Sequence, residues 1–389
     1  MKLPLVTWTS FFTLVIFFEL SSHCVADVRS ITVAAKDAPQ ETRDSADFCC
    51  TGIDDQLTIR QAILALPSSG GTVQLSAGNF EIRKVPQTLG GIVIDRSFVT
   101  LAGHGAATRL RLAAGQNTNV IRIIGSGVGH VTIRDLAIDA NRTENDQGTG
   151  DPNVSHDRFE FCGIKAFRQA PVGPAADEDC HDITIRNCHV KEAHRLGIML
   201  EGSNMCVLDN VLGDAGSDVV EILTGPGIIR GNMIDIVGKT HVAIGTDRAN
   251  DIIMAENVVR VRTGANLDIG FRSWAGSLRH SISGNVLTVD NRGACGLAMD
   301  LRGMQATVTG NVISAEHGSS RVKIGGGQTT VTGNVFENVT IEIDDTTELN
   351  LPVLLGINSL RNSQLDLKRG ALEVLDSKLE VIESRASPE

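Results

Sequence analysis

A short phrase ending in asparagine returns seven times between residues 183 and 336, and it constrains this chain more than any other feature. It reads Ile183-Thr-Ile-Arg-Asn187, Val207-Leu-Asp-Asn210, Ile228-Ile-Arg-Gly-Asn232, Ile252-Ile-Met-Ala-Glu-Asn257, Ser281-Ile-Ser-Gly-Asn285, Val308-Thr-Gly-Asn311 and Val331-Thr-Gly-Asn334. Successive asparagines are 23, 22, 25, 28, 26 and 23 residues apart. Self-similarity at such a period marks stacked repeats. The repeated phrase is a strand without helical periodicity, so each repeat is read as one coil of an all-β solenoid. In-register Asn side chains can bond from coil to coil, as in other stacked ladders. Gly231, Gly284, Gly310 and Gly333, each just before an Asn, allow positive φ at the turn. These asparagines are scaffold.

About ten residues after each Asn comes a second short strand: Ile198-Met-Leu200, Val220-Glu-Ile222, Val242-Ala-Ile244, Leu267-Asp-Ile269, Leu297-Ala-Met299 and Val322-Lys-Ile324. Strict alternation would point the outer members of each triplet inward and the middle one outward. Lys165, Met199, Glu221, Ala243, Asp268, Ala298 and Lys323 then form one outward column. Two residues later a second column holds Phe167, Glu201, Leu223, Gly245, Gly270, Asp300 and Gly325.

Candidate chemistry lies on that outward face. Glu221 and Asp268, two coils apart, would be separated by ~9.5 Å at the backbone. That is the upper end of the spacing at which an inverting glycosidase fits a water between acid and base. His241, on the coil between, would tune a carboxylate or carry a proton. Arg272 follows on the same parity, and Trp274 offers a platform for a sugar ring. Glu221, His241, Asp268 and Arg272 are thus the candidate catalytic set, with Lys165, Glu201, Trp274 and Asp300 as candidate substrate contacts. The plain alternative is that these are the solvated residues of any exposed sheet.

The rest of the chain fits around this repeat. Residues 1–26 read as an export signal, with Lys2 ahead of the apolar run Phe11–Phe18 and cleavage at Ala26. The run is short for a membrane span, so no span is expected in the mature chain; the alternative is a retained anchor. Residues 27–71 form a lead-in with a helix over 54–66, capped by Asp54 or Asp55, that would cover the open first rung. Coils are expected over 72–340, interrupted by long polar insertions at 141–161 and 168–180 that could wall a groove. Past 340 the Asn marks stop, and residues 341–389 read as narrow rungs with an acidic tail that blunts the open end. A formal net charge of −11 argues against nucleic-acid binding. Seven cysteines remain after the signal, with Cys162, Cys188, Cys206 and Cys295 pointing inward by parity. Core packing is their expected role, with a Cys188–Cys206 bridge as the alternative.

Ile31-Thr-Val-Ala-Ala-Lys-Asp37, Asp47-Phe-Cys-Cys-Thr-Gly-Ile-Asp-Asp-Gln56 and Gly70-Gly-Thr-Val-Gln-Leu-Ser-Ala-Gly-Asn-Phe80 resemble the opening of secreted right-handed parallel β-helix proteins of the pectate-lyase-like superfamily. The resemblance covers roughly residues 30–340. It implies a right-handed β-helix, a secreted, periplasmic or cell-surface location, and a polysaccharide as partner. It does not choose an activity. The superfamily's alginate epimerases would call for a Tyr and an Asp-Pro-His near Ile198–Glu201, and the chain has neither. A polygalacturonase's Asn-Thr-Asp is also missing; only Arg321-Val-Lys323 resembles that family. No cofactor or metal is called for, except that a lyase would need calcium, for which Glu201, Glu221 and Asp268 with Arg272 are the available groups. Two readings follow: an exported polysaccharide-processing enzyme of lyase or glycoside hydrolase type, or a non-catalytic surface module that binds glycan or protein. The oligomeric state is left open.

Overall fold

The structure is a computed structural model that describes residues 29–86, 90–145, 161–168, 178–316, 320–344, 351–369, 372–374 and 381–382. The expected export signal and most of the two insertions lie outside the described residues.

The chain winds into a parallel β-helix, each coil adding one strand to each of three stacks. One stack, here called the site sheet, runs from Gly90–Ile94 to Gln364–Arg369 and includes Ile198–Ser203, Asp218–Thr224, Lys239–Asp247, Asn266–Ser273 and Ala294–Leu301. A second runs from Ser30–Ala34 through Gly129–Arg134 and Cys180–Arg186 to Leu372–Val374. These two meet where Cys180 pairs with Gly202 and His181 with Ser203. The third stack has twelve strands, from Gly78–Ile82 to Val381–Ile382. Parallel stacking gives every interior strand a hydrogen-bonded neighbour on both sides. The apolar interior is one continuous column of Val, Ile and Leu with Phe80, Phe271 and Phe336. That is why the sequence needs so few aromatic residues.

The asparagine ladder is present and buried. Asn210 donates its side-chain amide to the Oδ1 of Asn232, and so on through Asn257, Asn285, Asn311 and Asn334 to Asn358, each step at 2.9 Å. Two expectations need correction. Asn187 is not a ladder member: Cys188 stands there, its N–H bonding Asn210 Oδ1, while Asn187 holds the positive-φ position that Gly231 and Gly284 hold later. The ladder also does not stop near 340. Asn358 continues it, hidden in the sequence because Ile357 replaces the usual preceding glycine.

Helix α1, Gln40–Ser45, was not foreseen; helix α2, Asp55–Ala65, was. Ile59, Ala62 and Ile63 of α2 are fully buried against the first coil, so the helix covers that end of the core. Neither aspartate caps it by a side-chain bond. Asp55 is buried and accepts from the N–H groups of Gly52 and Glu81, tying the helix start to the first rung. All seven described cysteines are free thiols. Cys188 and Cys295 do face the core, whereas Cys162 packs outside it with Leu196 and Met199. Cys206 is only partly buried, outside the core that holds Cys188, so no bridge joins these two.

Candidate functional site

The strands of the site sheet do not alternate strictly. Val219 and Val220 both enter the core, as do Ala243 with Ile244 and Ala298 with Met299. At the matching place in Asn266–Ser273, the strand between the last two, a Cβ on Gly270 would meet Leu287 of the core, and Phe271 is buried beside it. Two successive inward residues bend each strand at the same level. The bend brings residues three apart, such as Asp218 and Glu221, onto one outward face. On a straight strand they would lie on opposite faces.

The bend rewrites the columns. Glu221 lies beside Met199 on one side and Gly245 on the other, Gly245 beside Arg272, Arg272 beside Asp300, and Asp300 beside Lys323. Arg122 and Lys165 extend the column in the other direction. The expected placement of Ala243, Asp268 and Ala298 on this face is therefore corrected: Ala243 and Ala298 are core residues. The position two coils beyond Glu221 belongs to Arg272. Lys165 and Asp300 are in the column, and Asp300 moves into it from its expected neighbour.

Arg272 organises the centre. Its Nη2 donates to Asp218 Oδ2 at 2.6 Å and to Glu221 Oε1 at 2.7 Å, and all three side chains are nearly buried. Gly245 makes this contact feasible. A Cβ there would come within 2.8 Å of Asp218 Oδ2 and 3.0 Å of Arg272 Nη2. Trp274 follows, with the guanidinium of Arg302 4.3 Å from its ring centroid and that of Arg272 at 5.4 Å. Arg302 in turn holds Asp300 at 2.9 Å. Lys323 bonds Asp344 at 2.7 Å beyond. Toward the other end, Cys162, Leu196 and Met199, with Phe167 and Leu223, make a small apolar patch on the same face.

The electrostatics single out Glu221. Burial and, after it, the neighbouring Asp218 push its pKa up to about 8 against the opposing pull of Arg272. A carboxyl that keeps its proton at neutral pH is the requirement for a general acid. Burial opposes the charge on Arg272, yet Asp218 and Glu221 outweigh it, so its pKa lies above the ordinary value. Glu201 is also raised, by burial and by Asp179. Asp247 Oδ1 and Arg272 Nε are buried without a hydrogen-bond partner among the described residues. Buried polar atoms left this way are uncommon and suit a hydroxyl-rich ligand.

Of the eight candidate residues, Glu221, Arg272, Trp274 and Asp300 come together. His241 and Asp268 form a separate pair, Nδ1 to Oδ2 at 2.9 Å, half exposed and on the far side of the bend. Asp268 thus shares no water gap with Glu221. Lys165 is buried with its ammonium 4.8 Å from the Phe167 ring, and Glu201 lies beside Leu223. Asp218, Asp247 and Arg302 were missed. The only sequence signal for Asp218 is the run Ser217-Asp-Val-Val-Glu221, whose two central valines break the alternation.

No known family model matches the chain. In sequence it is 29% identical over 203 residues to the mannuronan C5-epimerase AlgE4 of Azotobacter vinelandii, a match over 50% of this chain and 32% of that protein. It is 27% identical over 232 residues to AlgE5 of the same organism, 56% of this chain and 21% of the relative. The matches thus span a third or less of these relatives. Among solved structures, the A-module of the mannuronan C-5 epimerase AlgE6 from Azotobacter vinelandii superposes with a TM-score of 0.56 at 20% identity, covering 82% of this chain and 94% of that one. DFA-IIIase from Arthrobacter chlorophenolicus superposes with 0.52 at 12% identity, over 88% and 87%. With three parallel stacks, a buried asparagine ladder and these likenesses, the chain has the right-handed parallel β-helix fold.

Proposed function

We propose that this protein is an exported enzyme that processes a polysaccharide by acid–base chemistry on the outer face of the site sheet. One observation carries the reading: Glu221, with a pKa of about 8, is held by Arg272 next to Asp218 and within a residue's reach of Trp274. Glu221 is the proton donor, to a departing glycosidic oxygen or to a carbanion. Arg272 positions it and neutralises an acidic substituent of the sugar. Trp274, stiffened by Arg302, is the platform for the ring. The sequence likeness to mannuronan C5-epimerases supports an acidic polysaccharide as substrate. The chain nevertheless has no tyrosine, so any proton abstraction falls to other groups, with Asp218 nearest to Glu221. Carboxylate oxygens that share one nitrogen lie closer than the ~6.5–9.5 Å that suits an inverting hydrolase. This favours elimination or epimerisation over inversion by water.

Incubation with a panel of uronans and neutral glycans, with and without calcium, tests this. Reducing ends, unsaturated products and C5 inversion by NMR are the readouts. Turnover that Glu221→Gln abolishes supports the reading; full turnover in that variant removes Glu221 as the acid. A second reading, a non-catalytic glycan-binding module, is favoured by the way Asp218, Glu221, Asp300, Asp344 and their cations already satisfy one another. Glycan retention without any product would select it.

A further inference from the structure

At the corner between the site sheet and the second stack, one left-handed residue per coil points its side chain outward. Phe98, His130, Asp182 and Asn204 occupy this position in successive coils, with φ of 64°, 55°, 52° and 56°. Farther along, the same corner closes in self-sufficient pairs: Arg279 with Asp251 at 2.6 Å and Gln305 with Gln328 at 3.0 Å. The coils at 130 and 182 differ, because two imidazoles face one carboxylate. His181 Nδ1 is 2.8 Å and His130 Nδ1 3.4 Å from Asp182 Oδ2, and all three ligand atoms lie within 4.8 Å of one another.

We propose that His130, His181 and Asp182 bind one zinc ion, which fastens the end of the inserted segment to the coil before it. Imidazole nitrogen with a carboxylate oxygen is a zinc donor set, and three protein ligands leave a fourth position for water. Ligands about 2.0–2.1 Å from a tetrahedral zinc lie roughly 3.4 Å from one another. The His130–Asp182 distance already has that length; the shorter His181–Asp182 contact must open, and the two imidazoles, whose ring centroids are 5.2 Å apart, must turn their nitrogens toward one ion. The imidazoles are also held in place. His130 stacks on Phe98, centroids 4.8 Å apart and 13° from parallel. His181 lies over Gly129, where a Cβ would come within 2.2 Å of its ring. Asn204 bonds the other carboxylate oxygen of Asp182 at 2.9 Å, the outer support that metal-bound carboxylates need. The side chains remain a third to a half exposed, open to an ion from solution.

The location gives the ion a purpose. His130 precedes the long insertions and His181 follows them. Just before His181, Glu178 donates its N–H to Ser126 Oγ and accepts from the N–H of Gly127. Zinc across this seam would join two coils that the covalent chain connects only through some fifty residues.

Zinc chloride titrated calorimetrically into the tag-free, EDTA-treated full chain should report one site and a raised Tm. Cobalt in its place should give the intense visible bands of a tetrahedral centre. His130→Gln and Asp182→Asn should each weaken zinc at least ~10-fold, the scale set even by outer-sphere partners. His241→Gln, which breaks the other imidazole–carboxylate pair, should leave zinc binding unchanged, and far-UV circular dichroism confirms that each variant is folded. Zinc should also slow amide exchange at Gly127 and Glu178. A folded wild-type chain that binds no zinc, zinc that survives both corner variants, or unchanged exchange at the seam would overturn the proposal.

Discussion

Two ladders run along this solenoid, and they differ in kind. The asparagine ladder repeats one neutral group from Asn210 to Asn358, each amide donating to the next at 2.9 Å, all of it buried. The column on the site sheet stacks Lys165, Met199, Glu221, Gly245, Arg272, Asp300 and Lys323, a different group at each level. The first is complete in itself: each side-chain amide meets the next asparagine or a backbone carbonyl. The second balances by charge, and beside it Asp247 Oδ1 and Arg272 Nε make no hydrogen bond among the described residues, Asp247 Oδ1 having only a 4.0 Å ion pair with Arg248. Uniform stacking builds rigidity, and non-uniform stacking on that rigid frame builds a site.

This contrast can be broken at either ladder. The largest effect expected is on turnover: Glu221→Gln should cost about 10²–10⁴-fold in kcat, the usual worth of a general acid. Its thermal stability at pH 7 should hardly change, since glutamine copies the neutral acid. Arg272→Leu comes next, destabilising by about 3–5 kcal/mol in urea unfolding because the buried Asp218 loses its cation and Glu221 its hydrogen-bond donor. Asn257→Ala should cost about 2–4 kcal/mol by orphaning the side-chain N–H of Asn232 and the carbonyl of Ile229. It should leave the kinetic constants of the folded fraction unchanged, and this separates frame from site. The gentlest effect is a slope in pH, at most about 1.4 kcal/mol per pH unit. An acid whose folded pKa is raised from 4.5 to about 8 stabilises the fold fully below the unfolded value. That contribution fades as pH rises from 4.5 through 8, because the unfolded chain releases its proton first. Unfolding free energy measured across that window should decline in the wild type more steeply than in Glu221→Gln.

How much of this was legible follows from the same contrast. Repetition made the solenoid readable, since seven returning asparagines outweigh any local ambiguity. Asn358 escaped because Ile357 hides its turn, and Asn187 was misassigned because it occupies the turn position one step earlier. The site was legible only where strands alternate. Glu221 and Arg272 do stand on the outward face, and the alignment Lys165–Met199–Glu221 matches the strand register. Beyond it, the outward position moves two residues on, to Gly245 and Asp300, where Ala243–Ile244 and Ala298–Met299 both turn inward, and four residues on from Asp268 to Arg272. This sends Asp268 to His241 and brings in Asp218. Alanine and glycine at those levels are equally at home on either face, so composition could not reveal the bend.

The central claim is that this bend presses Asp218 and Glu221 onto one arginine and leaves Glu221 protonated at neutral pH. Infrared difference spectra between wild type and Glu221→Gln, followed from pH 5 to pH 10, test it most directly. The account predicts a carboxylic acid C=O band, present in the wild type alone at pH 7, that disappears near pH 8. A wild-type spectrum in which that band is already gone by pH 6 would contradict it.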